Sequence, residues 1–182
     1  MPELKALAPA RIKWALELLE LTPDSSVIEI GCGSGIAAER ICEQLTGHGS
    51  YMGVDQSAAA CEAAFARCKA YAPSMKALFW NKPFDARDRE PALFDRVLAI
   101  NVNVFWTDDG TQLRDIRRIM HRDTRLVLVY QTPSADQRSK IARILKQRLA
   151  PSFGVVSTKL RTHGGKAMLA AIAEDPFRRR KP

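Results

Sequence analysis

The apolar run Val27-Ile28-Glu29-Ile30 ends abruptly in Gly31-Cys32-Gly33-Ser34-Gly35, after which Ile36 to Leu45 resumes with helical spacing. A short apolar run bounded by a sharp turn reads as a buried parallel strand. Glycine at every second position removes three side chains, so the backbone can bend sharply and a bound molecule can lie against bare peptide. A second short apolar run, Tyr51 to Val54, closes on Asp55, twenty residues beyond Gly35. A carboxylate there is placed to accept hydrogen bonds from the two hydroxyls of a ribose. Together these features constrain the chain toward an α/β sheet that binds a nucleoside at the ends of its strands.

The spacing also excludes relatives. The turn is G-x-G-x-G, whereas the dinucleotide fingerprint is G-x-G-x-x-G and the phosphate loop ends in Gly-Lys-Ser/Thr. No lysine or arginine sits in the turn, which suits a nucleoside lacking a pyrophosphate. Here the chain resembles the class I S-adenosylmethionine-dependent methyltransferases, a Rossmann-like superfamily. Their first motif, E/D-x-G-x-G-x-G, stands as Glu29 to Gly35. The resemblance continues through Gly53-Val54-Asp55, Phe94 to Asn101, Leu113 to Met120 and Arg125 to Val129, in order, over roughly residues 25 to 130.

Strands are expected at 26–31, 51–54, 76–80, 94–100, 125–131, 153–161 and 167–173, with helices at about 36–45, 57–70, 108–121 and 134–149. Ser57 and Ser134 are placed to cap two of these helices. Such alternation requires a mostly parallel, doubly wound sheet covered on both faces. The last two runs flank Thr162-His163-Gly164-Gly165-Lys166, too short for a crossover helix, so they are expected to pair as an antiparallel hairpin. The expectation is one methyltransferase domain over 1–182 with seven strands. Residues 1–22 form a leading helix that would cap the cofactor, and 174–182 form a basic tail. The stretch Asn81 to Leu93 is read as an ordered surface loop, and His121-Arg122-Asp123-Thr124 as a turn before the fifth strand built on an Asx turn of Asp123.

The resemblance implies S-adenosylmethionine as cofactor, held by Glu29, Gly31, Cys32, Gly33 and Gly35, by Asp55 with the adjoining Gln56, by Asn81, and by the backbone of Asn101. Glu29 sits inside a strand, an expensive place for a carboxylate. It is expected either on the cofactor's ammonium side, through water or loop amides, or as a brace of the loop. The acidic residue that the family places after the third strand is absent, leaving Asn81, or Asp85 with a shift, for the adenine end. Relatives that methylate planar nitrogens carry Asn/Asp-Pro-Pro-Tyr/Phe after the fourth strand; this chain has Asn101-Val102-Asn103-Val104-Phe105-Trp106. Asn103, Phe105 and Trp106 are therefore candidates for an acceptor pocket, with core packing the other reading of the two aromatics. His163 is the candidate base, against a plain polar turn residue.

The net charge of +8 is unevenly distributed. Residues 1–110 hold 11 Lys/Arg against 15 Asp/Glu, and residues 111–182 hold 17 against 5. Spacings of three and four make most of the second group solvated helix faces, and they also suit an anionic acceptor or weak, sequence-indifferent nucleic-acid binding. Four cysteines without a C-x-x-C pair argue against a metal. No apolar stretch approaches 18 residues and the opening Met1-Pro2-Glu3-Leu4-Lys5 has no secretory pattern, so a cytoplasmic protein without a membrane partner is expected, as monomer or homodimer. The expected activity is methyl transfer to O, C or S of a small molecule. The alternatives are methylation of RNA or protein through the basic half, and a cofactor-binding but silent partner subunit.

Overall fold

A computed structural model describes residues 8–74, 76–85 and 94–174. The Arg178 to Lys181 part of the expected tail, residues 1–7 of the leading segment and residues 86–93 of the expected surface loop lie outside these. The elements in chain order are α1 (Ala10–Leu19), β1 (Ser26–Ile30), α2 (Ile36–Gln44), β2 (Ser50–Asp55), α3 (Ala58–Arg67), β3 (Ala77–Asn81), β4 (Phe94–Ile100), α4 (Val104–Thr107), α5 (Thr111–Ile116), β5 (Met120–Thr132), α6 (Ala135–Leu149), β6 (Val155–His163) and β7 (Lys166–Glu174). The seven strands form one sheet in the order β3-β2-β1-β4-β5-β7-β6. β1 to β5 run parallel, while β7 inserts antiparallel between β5 and β6. The expected architecture is the observed one.

The central strands are buried along most of their length because helices cover both faces. On one face α1 and α2 bury Trp14, Leu19 and Ile41 against Val27, Leu98, Val127 and Ile172. On the other, α4, α5 and α6 bury Phe105, Leu113, Ile141 and Leu145 against Ile28, Val97, Leu128 and Leu169. The two serine caps form as expected, Ser57 Oγ accepting from Ala60 N at 3.3 Å and Ser134 Oγ from Gln137 N at 3.2 Å. No described helix is long and apolar enough to cross a membrane.

Three expectations need correction. The helix expected over 108–121 begins only at Thr111, because Asp108 and Asp109 accept from the amides of Gly110 and Thr111 and Gly110 turns at φ 89°, and it passes into a 3-10 turn at Arg117–Ile119 before β5. The segment His121 to Thr124 does not precede β5. It lies inside that strand as an excursion between the pairs Phe94↔Met120 and Arg96↔Arg125. Thr124 rather than Asp123 organises it, its hydroxyl accepting from His121 N at 2.9 Å and donating to the Phe94 carbonyl, while His121 Nε2 meets Asp95 Oδ1 at 2.8 Å. Finally, among the described residues the leading helix spans Ala10–Leu19 only, as a layer of the core.

The last turn of α1 is held by two buried arginines from the sheet. Arg96 Nε donates to Leu19 O at 2.7 Å and its Nη2 to Glu20 O at 2.8 Å, while Arg125 Nε donates to Leu18 O at 2.6 Å. Arg125 also pairs with Glu20 and Glu174. These contacts satisfy carbonyls that a helix C-terminus leaves without intrahelical partners, and they tie it to the amino ends of β4 and β5.

Candidate functional site

The strand order reverses between β1 and β4, so the carboxyl ends of β1, β2 and β4 border the crevice that open α/β sheets present to ligands. The glycine turn leaves β1 there and is sewn to the end of β2. Gly31 N and Cys32 N both donate to Val54 O, at 2.7 and 3.2 Å, and Gly35 N donates to Cys32 O at 3.1 Å. Gly33 N donates to Asp55 Oδ2 at 2.9 Å, and Asp55 Oδ1 accepts from Ser57 N at 2.9 Å. One carboxylate thus braces both the turn and the start of α3. Each of its oxygens keeps a further lone pair, the acceptor capacity that two ribose hydroxyls require.

The three glycines share a left-handed backbone, with φ of 72°, 53° and 76°, but not a surrounding. A Cβ on Gly31 would lie 2.6 Å from Val102 Cγ2, and one on Gly35 would lie 2.7 Å from Ala64 Cα. A Cβ on Gly33 would meet nothing within 4 Å. Gly31 and Gly35 are therefore bare so that the β4–α4 loop and α3 can close against the turn. Only Gly33 is bare toward open space.

The remaining candidates divide. Asn81 Nδ2 donates to Asp55 O at 3.2 Å, which puts Asn81 at the same end of the sheet as the turn. Gln56 follows Asp55 and is exposed. Cys32 is buried under Gly53, where a Cβ would come within 2.9 Å of its Sγ. Burial, with Glu29 nearby, pushes its thiol well above the ordinary range, so Cys32 acts as a small filler. Asn101 ends β4 in a left-handed conformation, φ 60°, that asparagine tolerates better than most residues. Its amide donates to Val129 O at 2.8 Å and its Oδ1 accepts from Gln131 N at 2.9 Å, stapling β4 to β5. Tyr130 Oη donates to Val102 O at 2.7 Å. Tyr130 and Val102 are site-building residues the sequence reading missed; their signal is the pairing of β4 with β5, which puts the end of β5 beside the crevice.

Phe105 is corrected from pocket to core: it is fully buried among the residues of α5 and α6. Trp106 is half-buried beside it with Nε1 donating to Asn103 Oδ1 at 3.2 Å, and Asn103 is exposed. His163 is corrected as well. It closes the β6–β7 hairpin at the far edge, three strand positions from β4, roughly 14 Å at the usual interstrand spacing. A base must come within about 3 Å of the proton it takes.

Residues 28–126 match the model of a methyltransferase domain family. The chain belongs to the class I S-adenosylmethionine-dependent methyltransferases. No curated protein sequence matches this methyltransferase. Solved structures share its fold at low identity. A SAM-dependent methyltransferase from Aquifex aeolicus aligns at TM-score 0.67 and 12% identity, over 89% of this chain and 88% of that one. Geranyl diphosphate C-methyltransferase from Streptomyces coelicolor A3(2) aligns at 0.66 and 12%, over 91% and 79%. The ribosomal protein L11 methylase from Lactobacillus delbrueckii subsp. bulgaricus aligns at 0.65 and 18%, over 91% and 77%.

In this methyltransferase Glu29 is turned into the sheet, where it accepts a 2.6 Å hydrogen bond from Tyr51 Oη. Burial pushes its carboxyl up to about 8, the Tyr51 bond only partly offsetting this and Asp55 adding to it. Without a cation beside it, the carboxyl thus favours its neutral form near neutrality. Tyr51 is the partner that sequence reasoning missed, although the register Glu29↔Gly53 places it diagonally adjacent. Because the folded protein holds this proton and the unfolded chain loses it near 4.5, stability falls as pH rises from about 4.5 to about 8. Glu29→Gln keeps the shape and an acceptor for Tyr51 without the ionisation. The variant is expected to match the parent near pH 4 and to be more stable by on the order of a few kcal/mol at pH 8. Thermal melts across this range check it, and parallel curves for the two proteins would refute the buried proton.

Proposed function

We propose that the chain transfers a methyl group from S-adenosylmethionine to an oxygen, carbon or sulfur atom of a small-molecule acceptor by in-line displacement. The observation that carries this reading is the pairing of Gly33, bare toward open space, with the Asp55 carboxylate that braces it. A Cβ would begin to fill that space, and Asp55 retains acceptor capacity, so the residues present fit a ribose lying across the turn. When bound, S-adenosylmethionine supplies a methyl group on a positively charged sulfur with a neutral leaving group. The chain's own part is to orient and to exclude water. Asp55 and the Gly33 backbone would fix the nucleoside, Asn81 would stand at the adenine end, and the Asn101 staple would hold the crevice wall in one position. Trp106 and Asn103 would border the acceptor. Alignment in a dry site accounts for most of the acceleration, with intramolecular precedents worth about 7 to 11 kcal/mol.

The acceptor class is supported by the β4–α4 loop, which lacks the prolines and terminal aromatic of planar-nitrogen methylation. The geranyl diphosphate enzyme supports it by likeness of fold. A second reading, RNA or protein as acceptor, draws support from Lys140, Arg143 and Lys146, exposed along one stripe of α6, and from the L11 methylase likeness. Calorimetric titration with S-adenosylmethionine is the first test. Asp55→Ala is expected to weaken binding at least tenfold, since each charge-assisted hydrogen bond is worth roughly 1.5 to 3 kcal/mol. Unchanged affinity in a folded variant would remove Asp55 from the site. Transfer of labelled methyl to a panel of small acceptors, RNA and protein then separates the readings, and tight binding without any transfer would favour a silent partner subunit.

A further inference from the structure

β6 forms one edge of the sheet, long and regular, and no described element covers it. All nine residues from Val155 to His163 pair with β7 without a bulge or a proline, and each is exposed except the half-buried Val156. Val155 is 47% exposed and Leu160 53%. Edges of this kind are templates for another strand, and proteins ordinarily blunt them by shortness, proline, bulges or charge. Here the blunting is partial. Arg161 is drawn toward α1, with Nη1 3.4 Å from Glu17 Oε2 and its guanidinium 6.0 Å from the Trp14 ring, which leaves Lys159 as the strand's remaining cation.

The hairpin tells which backbone groups face outward. Gly164 and Gly165, both at positive φ, make a two-residue turn closed by the pair His163↔Lys166. In such a turn the closing pair is hydrogen-bonded, and bonded and non-bonded pairs alternate from there. His163, Arg161, Lys159, Ser157 and Val155 therefore bond to β7, whereas Val156, Thr158, Leu160 and Thr162 present their N–H and C=O groups to the outside.

We propose that this edge joins a second copy of the chain, β6 against β6 antiparallel about a two-fold axis at Thr158, making one continuous fourteen-stranded sheet. The position of the axis follows from charge among the registers that keep Leu160 opposite a residue of the partner's β6, those centred on 158 to 161. Centred on Lys159, the strands would set Lys159 opposite itself; centred on Leu160, they would set Lys159 opposite the partner's Arg161. Like charges directly opposite are destabilising. Centred on Thr158, Lys159 faces the partner's Ser157, Arg161 faces the partner's Val155, Val156 faces the partner's Leu160 twice over, and Thr158 faces itself. This register bonds the outward N–H and C=O groups of residues 156, 158 and 160 and covers the exposed Val155 and Leu160. It is isologous, as a closed dimer requires.

Light scattering on a sizing column is expected to give twice the chain mass of 20.3 kDa, about 41 kDa. Because each copy carries a net +8, the dimer is expected to strengthen with salt, opposite to a nucleic-acid complex. Thr158→Pro removes an outward N–H that β7 does not use and is expected to give a folded monomer. Thr158→Cys tests the register without disturbing the strand. Bonded antiparallel partners have Cα atoms about 5.5 Å apart, within disulfide reach, so oxidation is expected to give a covalent dimer. The four native cysteines are buried and do not compete. Leu160→Cys, whose own copy would stand four residues away along the partner strand, roughly 13 Å or more, is expected not to cross-link. A monomer at every concentration and salt, a dimer indifferent to Thr158→Pro, or cross-linking through Leu160→Cys instead of Thr158→Cys would each overturn the proposal.

Discussion

Gly33→Val is expected to give a folded protein that no longer binds S-adenosylmethionine. The position has φ 53° and nothing within 4 Å of where a Cβ would stand, so the new Cβ meets no protein atom and the side chain enters the space assigned to the nucleoside. A β-branched residue at positive φ costs about 1 to 3 kcal/mol, and a domain of this size loses roughly 2 to 4 °C of melting temperature per kcal/mol. The fold is expected to survive. Gly35→Val supplies the contrast, because its Cβ would press within 2.7 Å of the Ala64 backbone, which has no flexible end to yield. That variant is expected to lose stability first and binding as a consequence. Calorimetry and melting of the two variants side by side check the assignment. Retained affinity in Gly33→Val would sink the placement of the cofactor over the turn.

Phe105→Ala is expected to cost about 3 to 5 kcal/mol of stability, as large-to-small changes at fully buried aromatic sites do. Phe105 anchors α4 under α6, where Arg148 Nη1 also donates to the Phe105 carbonyl at 3.2 Å and pairs with Asp108. Its loss should therefore disturb the wall that carries Asn103 and Trp106 as well. Trp106→Ala, by contrast, removes a half-buried ring at the rim. It is expected to lower turnover much more than cofactor affinity or melting temperature. Equal losses of all three in Trp106→Ala would move that residue to the core as well.

The parts of the site that can be read in sequence are those governed by the local chain. Glycines that must turn, a carboxylate at a strand end and serines that cap helices each announce themselves within a few residues, and the alternation of runs gives the sheet. What cannot be read locally is which neighbour fills the space beside each residue. Gly31, Gly33 and Gly35 look equivalent until Val102 and Ala64 arrive from distant elements to occupy two of the three positions. Glu29 has no visible partner in the local sequence until Tyr51 meets it from the next strand. Phe105 and Trp106 are adjacent in sequence, yet helical geometry sends one into the core and leaves the other half outside. His163 lies at the crevice end of the sheet but far from β4, because strand order depends on β7 inserting between β5 and β6.

The arginine clamp on α1 has a consequence for synthesis on the ribosome. The helix is made before the groups that hold its last turn, which come from Arg96 and Arg125, the latter 107 residues after Leu18. At ordinary elongation rates of about 5 to 20 residues per second, roughly 5 to 20 s pass between the emergence of α1 and that of its second clamp. Throughout that interval Ile12, Trp14, Leu18 and Leu19 have no β5 to cover them. The nascent chain thus carries a sticky amphipathic segment throughout that interval, and α1 is locked in place only once β5 has been made.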